Sequence, residues 1–265
     1  MNGNLMTKFK FMKKAYFVVL LSFFINVVVV NPDASASTRE DAQSSVVKFL
    51  KAHRDCDVAG MMKHSQYFRE IGNQKEFYTS FCKHNPLQKA KITSLSIVNE
   101  STALVSIETT YKDRITLRTT PVVKKDGQWK VVIGVPPSGV KAITPSRDGN
   151  KAEISKVFTD YVKAIKTQDL SKMKSYLKIL DQTEDKKIDE HLKAMGQGPI
   201  PEMTSYGINI LSDDLAIAEV EIKYPNHTFT HNLAVLNENG QWKIIFGHPL
   251  TISSVPVSGK PVEIK

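Results

Sequence analysis

Lys125-Asp126-Gly127-Gln128-Trp129-Lys130-Val131-Val132-Ile133-Gly134 is the stretch on which the fold turns. It returns as Asn239-Gly240-Gln241-Trp242-Lys243-Ile244-Ile245-Phe246-Gly247, with Trp242 placed 113 residues after Trp129. Each copy is a Gly-containing turn running into an apolar strand, and the chain's two tryptophans take matching places. Tyr111 to Gly127 and Tyr224 to Gly240 have equal length, so the copies align without a gap. Self-similarity at a long fixed period marks a repeated structural unit. The chain is two copies of one domain.

Outward from this hairpin, both halves follow one plan. In the first, Ser37-Thr38-Arg39-Glu40 has the spacing of a capping box, and Val46, Val47, Phe49 and Leu50 then share one side of a helix. Asp57 caps a short second helix, and Asn73-x-x-Glu76 opens a third that ends before Asn85-Pro86. From Lys89 the period changes to two. Val105, Ile107, Thr109 and Tyr111 alternate with Leu104, Ser106, Glu108 and Thr110, the pattern of a half-buried strand.

In the second half, Val157, Phe158, Tyr161, Val162 and Ile165 form the buried face of the first helix. Asp169 caps the second helix as Asp57 does, and Met173 answers Met61 at an offset of 112. A third helix spans residues 183–195, and strands follow over 202–211, 215–224, 229–236 and 241–247. The fold class is therefore α+β: two tandem repeats, each of three N-terminal helices packed on a curved antiparallel sheet. The boundaries are a signal peptide at 1–36, a first domain at 37–135, a linker at 136–149, a second domain at 150–248 and a tail at 249–265. The linker is rich in Pro, Gly and Ser, and the tail, with three prolines, is expected to lie loosely. Each half holds its own capped helices and meander, so each is expected to fold alone.

Lys8, Lys10, Lys13 and Lys14 precede an apolar run from Ala15 to Val30, and Ala34-x-Ala36 follows. These are the parts of a secretory signal, with cleavage after Ala36 and a secreted or extracytoplasmic product. The run is shorter than the ~20 residues of a usual membrane span; an uncleaved anchor is the alternative. Translation starts at Met1 or at Met12, and no cysteine follows the run to take a lipid. Cys56 and Cys82 both lie in the first repeat, where they form either a disulfide or two buried thiols. The second repeat has no cysteine, so the architecture does not depend on a bridge.

The full chain carries 36 Lys+Arg against 27 Asp+Glu, a net of +9. Residues 37–149 hold 18 against 11, net +7, and residues 150–265 hold 14 against 15, net −1. Attraction to polyanions is thus expected in the first domain, with wall polymers or anionic lipid headgroups as partners and no nucleic acid. A solvated basic surface is the rival reading. With no Gly-rich phosphate loop, no G-x-S-x-G elbow and no ligand cluster at zinc spacing, neither a cofactor nor a metal is expected.

Three helices followed by curved strands, with Asp126-Gly127-Gln128-Trp129-Lys130-Val131 opening the last, resemble the nuclear-transport-factor-2-like superfamily. Asp57-Val58-x-x-Met61 is similar to the small helix cap of its exported bacterial members. The resemblance covers both repeats and implies two cystatin-like cones. That superfamily holds isomerases, dehydratases, cyclases, transport and secretion components, and domains with no activity, so fold leaves the chemistry open. Its enzymes set an aspartate and a histidine or tyrosine inside the cone, where an apolar pocket raises the base's pKa.

Here the histidines do not match between repeats, and the matched Asp57 and Asp169 stand at helix starts, where a carboxylate stays ionised. Trp129, Trp242, Tyr111 and Tyr224 match and read as packing or cone-mouth residues. His227, Phe229 and His231 share one strand face and are the binding candidates; a polar solvent-facing stripe is the rival reading. No catalytic residue is assigned. The expected function is a non-enzymatic binding or scaffold protein of the cell envelope. The alternatives are a ligand-binding or isomerase-type cone in the second repeat, and a membrane-anchored part of a secretion or transfer apparatus.

Overall fold

Asp126 and Gly127 both adopt positive φ, 51° and 74°, and Asn239 and Gly240 repeat this at 54° and 80°. Two consecutive left-handed residues give the turn whose twist suits a two-residue hairpin, and Asp-Gly and Asn-Gly are the pairs that tolerate it. Both hairpins of the opening motif are therefore built by their own local sequence. The structure is a computed structural model that describes residues 32–69, 71–136, 151–180, 185–247, 250 and 252–256. Most of the expected signal segment, linker residues 137–149, His248 and much of the tail lie outside the described residues.

The first repeat runs α1 (Pro32–Arg54), α2 (Val58–His64), β1 (Ser65–Tyr67), α3 (Gln74–His84), β2 (Lys89–Ile97), β3 (Thr102–Thr110), β4 (Arg114–Lys125) and β5 (Gln128–Ile133). The second runs α4 (Lys151–Lys166), α5 (Leu170–Ser175), β6 (Leu177–Ile179), α6 (Asp185–Gln197), β7 (Glu202–Ile210), β8 (Leu215–Lys223), β9 (Thr228–Glu238) and β10 (Gln241–Phe246). A last strand, β11 (Ile252–Pro256), follows. The strand orders are identical: β1-β5-β4-β3-β2 and β6-β10-β9-β8-β7. The Asp57 and Asp169 carboxylates cap α2 and α5 by accepting from the Gly60 and Lys172 amides. Such caps contribute about 1 kcal/mol each.

Register breaks fall at equivalent places, between Ile92 and Ser94 in β2 and between Ser205 and Gly207 in β7. An extra residue bends its strand and raises the local twist, so each sheet has a concave face. In the first repeat Val105, Ile107, Val122, Trp129 and Val131 form one core with α1–α3. Its counterpart joins Val220, Val235, Trp242 and Ile244 to α4–α6. Both tryptophans are thus packing residues between helices and sheet.

A third core uses the opposite, convex faces. Leu104, Val123 and Val132 of the first sheet cluster with Leu215, Ile217, Leu236 and Ile245 of the second. The two sheets therefore stand back to back. This core is drawn from both repeats, which the expectation of two self-sufficient halves did not include.

Around it, Asp214 clasps the repeats: its carboxylate accepts from Asn99 Nδ2 at 2.7 Å, from the Ser101 hydroxyl at 2.5 Å and from the Ser212 hydroxyl at 2.7 Å. Burial pushes the Asp214 pKa up, but these hydrogen bonds together outweigh it and hold the carboxyl below its ordinary range.

Three readings are corrected. Ser37–Glu40 is no capping box, because α1 already begins at Pro32. The tail is not uniformly loose: β11 pairs antiparallel with β4, Ile252 opposite Arg118 and Pro256 opposite Arg114. Between the second and third helices each repeat inserts a three-residue strand, β1 or β6, parallel to its tryptophan strand. Strands so short carry no readable period, and parallel pairing is set by the distant partner alone.

Candidate functional site

The concave side of each sheet, roofed by its helices, holds a partly open cavity, and the two differ. The first, of about 190 Å³, lies between α1, the aromatic Phe81 of α3 and strands β3–β5. Phe49, Leu50, Ile107 and Val131 supply apolar wall. Polar groups enter on His53 from α1, on Thr109 from β3, on Tyr111, and on Arg114, Thr116, Arg118 and Thr120 from β4. Alternation along β4 points Arg114, Thr116, Arg118 and Thr120 the same way.

His53 is buried, at 2% exposure. Its Nε2 lies 3.1 Å from the Asn85 carbonyl oxygen, and a carbonyl only accepts, so Nε2 carries the proton. The ring stacks on Phe81 at 4.7 Å between centroids. Burial chiefly, and the nearby Arg118 charge to a lesser degree, lower the His53 pKa, although the Asn85 bond works the other way. The imidazole is therefore neutral at pH 7.

Arg118 and Arg114 make a contrast on one strand. Arg114 donates to Asp113 at 2.9 Å and to the Asn85 side chain, and its guanidinium lies 4.7 Å from the Tyr111 ring centroid. The Arg118 side chain lines the cavity and makes no hydrogen bond or ion pair with any described residue. Burial lowers its pKa, offset in part by Tyr111 and Tyr67. Guanidinium nonetheless stays protonated in proteins.

The second cavity, about 220 Å³, is walled by Leu177, Met195, Met203, Ile222, Leu233 and Phe246, with Tyr161, Tyr224 and His191 as its polar members. Burial pushes the Tyr161 hydroxyl up to about 12, and that hydroxyl points to the Met195 sulfur at 3.8 Å. Neither cavity is lined by a carboxylate. Among the described residues no cluster of His, Cys, Asp or Glu could hold a metal.

The structure brings Phe229 and His231 of β9 together with His227, the residue just before that strand, beside Tyr224. His227 stacks on Tyr224 at 4.9 Å, and Phe229 meets His231 edge to face at 5.0 Å. His227 is exposed, Phe229 and His231 are half-buried, and none of the three lines the second cavity. The gap-free alignment makes them the equivalents of Arg114, Thr116 and Arg118. Pairing agrees, since Ile107 faces Arg118 and Val220 faces His231. The sequence pattern singled out this face of the second repeat and not Arg118 or His53, which line the first cavity. The available signal was an arginine at an inward position of an alternating strand. Cys56 and Cys82 are bonded to one another, Cα atoms 5.5 Å apart, and tie the end of α1 to α3 beside the first cavity.

Residues 149–246, the second repeat, match a family model described as "Putative lumazine-binding". No curated protein matches the chain. Among solved structures the chain is similar to an "Ntf2 like protein involved in plasmid conjugation", at 14% identity over 73% of this chain and 93% of that one, with a TM-score of 0.26. It is also similar to a cystatin-like protein from Ruminococcus gnavus, at 8% identity over 86% and 95% of the two chains, with a TM-score of 0.25.

Proposed function

We propose that this chain is an exported, non-enzymatic binding protein of the cell envelope, with its ligand space inside the two cones. The observation that carries this is the chemistry of the cavity walls. General acid–base catalysis at neutral pH needs a group titrating near 7. The first cavity offers a neutral histidine whose proton is committed to Asn85. The second offers a tyrosine held up to about 12 and, at its exposed rim, His191 beside the Phe246 ring with no carboxylate lining the cavity to orient it. What remains suits binding: concave, largely apolar space with a few polar groups.

Export is supported by the basic residues and apolar run at the N-terminus. Cleavage after Ala36 fits, because the buried face of α1 begins at Ala42. The test is fractionation of the native cells with N-terminal sequencing. A chain beginning at Ser37 in the extracytoplasmic or culture fraction is the expected result. An intact N-terminus in the membrane fraction favours instead a membrane-anchored part of a secretion or transfer apparatus.

A second reading concerns the second cone, and the lumazine-binding family match favours it. Its apolar wall with Tyr161 and Tyr224 suits a flat ring. Titration with lumazine, followed by ligand fluorescence, tests it; equal response in a Tyr224→Ala, Met203→Ala double variant rejects it. The basic stretch of residues 37–149, net +7, is proposed as the contact with wall polymers or anionic headgroups. Cosedimentation with purified walls should fall as salt rises from 0.1 M to 1 M, where the Debye length shrinks from about 10 Å to about 3 Å.

A further inference from the structure

We propose that the cavity of the first repeat binds a small apolar molecule bearing one carboxylate, which Arg118 receives. This rests on the binding reading above and deepens it by naming the cone and the ligand chemistry.

The starting point is a cation without a counterion. The half-buried Arg118 side chain lines a partly open, largely apolar cavity and bonds to no described residue, whereas that of Arg114, four residues earlier on β4, has Asp113 and Asn85 as partners. Withdrawing a cation from water costs several kcal/mol when nothing compensates it. An incoming anion supplies that compensation. No Asp or Glu lines the cavity to repel it.

The kind of anion follows from the neighbours. His53 adds no charge, since it is neutral and its Nε2 proton faces the Asn85 carbonyl. Arg114 also lines the cavity, but the Asp113 carboxylate already balances its charge. One unpaired guanidinium therefore confronts one negative charge, which suits a monoanion better than a phosphate dianion. The planar fork of guanidinium matches the two oxygens of a carboxylate in a bidentate pair. Thr116, two positions along the same strand face, adds a hydroxyl to the polar end. Opposite, Phe49, Leu50, Phe81 and Ile107 offer wall only to hydrocarbon. A volume near 190 Å³ is on the scale of one ring, since an apolar cavity of about 150 Å³ takes up benzene.

The second cone sharpens the assignment. At the place of Arg118 it has His231, at Thr116 Phe229, at Thr120 Leu233 and, one helix over, Ile165 at the place of His53. It has no fixed charge to receive a carboxylate.

The test is a titration of the full chain with benzoate, benzyl alcohol and inorganic phosphate, each followed by NMR of backbone amides and arginine Nε–Hε groups. Benzoate is expected to bind at least about tenfold more tightly than benzyl alcohol, the scale of a hydrogen bond to a charged group. Its shifts should centre on Arg118, Thr116 and His53. Arg118→Leu should abolish the preference, with Arg118→Gln as the second variant if the first does not fold, and His231→Leu should leave it unchanged. Equal binding of benzoate and the alcohol overturns the proposal. So do a preference that survives loss of Arg118, tighter binding of phosphate, a preference lost with His231, and the absence of saturable benzoate binding. None of these outcomes bears on export, which fractionation decides separately.

Discussion

The first and second cones share strand order, bulge position, helix caps and hairpin turns, yet their inner walls have opposite character. His53, Thr109, Thr116, Arg118 and Thr120 line the first cavity; the equivalent positions of the second repeat are Ile165, Ile222, Phe229, His231 and Leu233, of which Ile222 and Leu233 line its cavity. The backbone does not care. Local turns, caps and period-2 alternation are satisfied equally by threonine and leucine on the inward face, so the scaffold leaves the wall free to diverge. The cost is not equal. The apolar cone gains stability from its whole lining, while the polar cone holds a charge without a partner. The disulfide lies in the repeat with the polar cone, where Cys56 stands at the place of Gln168. Both residues take positive φ, 52° and 54°, so the turn itself is common and only the bridge is added.

The largest expected effect tests whether either cone stands alone. Expressing residues 37–136 and 150–265 as separate chains should give no monomeric fragment with a cooperative transition, and mixing them should restore one. Separation bares Leu215, Ile217, Leu236 and Ile245. Each such side chain contributes about 1.5–3 kcal/mol when buried, so four approach the 5–15 kcal/mol of a typical domain. A fragment that unfolds cooperatively as a monomer breaks the shared-core account.

Removing the bridge comes next. Cys56→Ser with Cys82→Ser should lower stability by about 3 kcal/mol, the usual worth of a bridge closing a loop of this size. A reductant should do the same to the wild type. Identical melting with and without reductant shows that the two thiols are not bonded and that the polar cone stands without a bridge.

Asp214 tests the joint between the cones. Asp214→Ala should cost about 1–3 kcal/mol through the lost hydrogen bonds to a charged group. Because the folded carboxyl titrates below its ordinary value near 3.9, its stabilisation is present above about pH 4 and is lost as pH falls through the folded pKa. Denaturation curves of Asp214→Asn should therefore flatten over that acid range. An unchanged acid slope would remove Asp214 from the joint.

The smallest effect belongs to His53. Its folded pKa lies below the ordinary 6.5, so the neutral ring's stabilisation is present above about pH 6.5 and declines as pH falls below it. Placing isoleucine there, as at Ile165, should reduce the fall in melting temperature between pH 7.5 and 5. If His53→Ile melts with the wild-type slope, the polar character of the first cone does not reach stability at all.

Much of this was written locally. Asp126-Gly127 and Asn239-Gly240 specify their turns, Asp57 and Asp169 their helix starts, and alternation from Leu104 to Tyr111 its strand, because each depends only on residues a few positions away. The repeat itself needs only self-comparison. His227, Phe229 and His231 were legible as one face for the same reason. Arg118 was not singled out, because a period of two records which way a side chain points and not whether a counterion waits there.

What the sequence determined by itself was the α+β class, the two repeats and the order of their helices and four longer strands. The tertiary structure alone decided that β11 returns to β4, that Asp214 meets Asn99 and Ser101, and that the sheets stand back to back. The physical reason is that apolar pattern reports burial without naming the partner. Leu215-Ala216-Ile217-Ala218, apolar at every position, already required cover on both faces of its strand. That the second cover is the other repeat depends on the shape and register of two finished sheets, which no single segment contains.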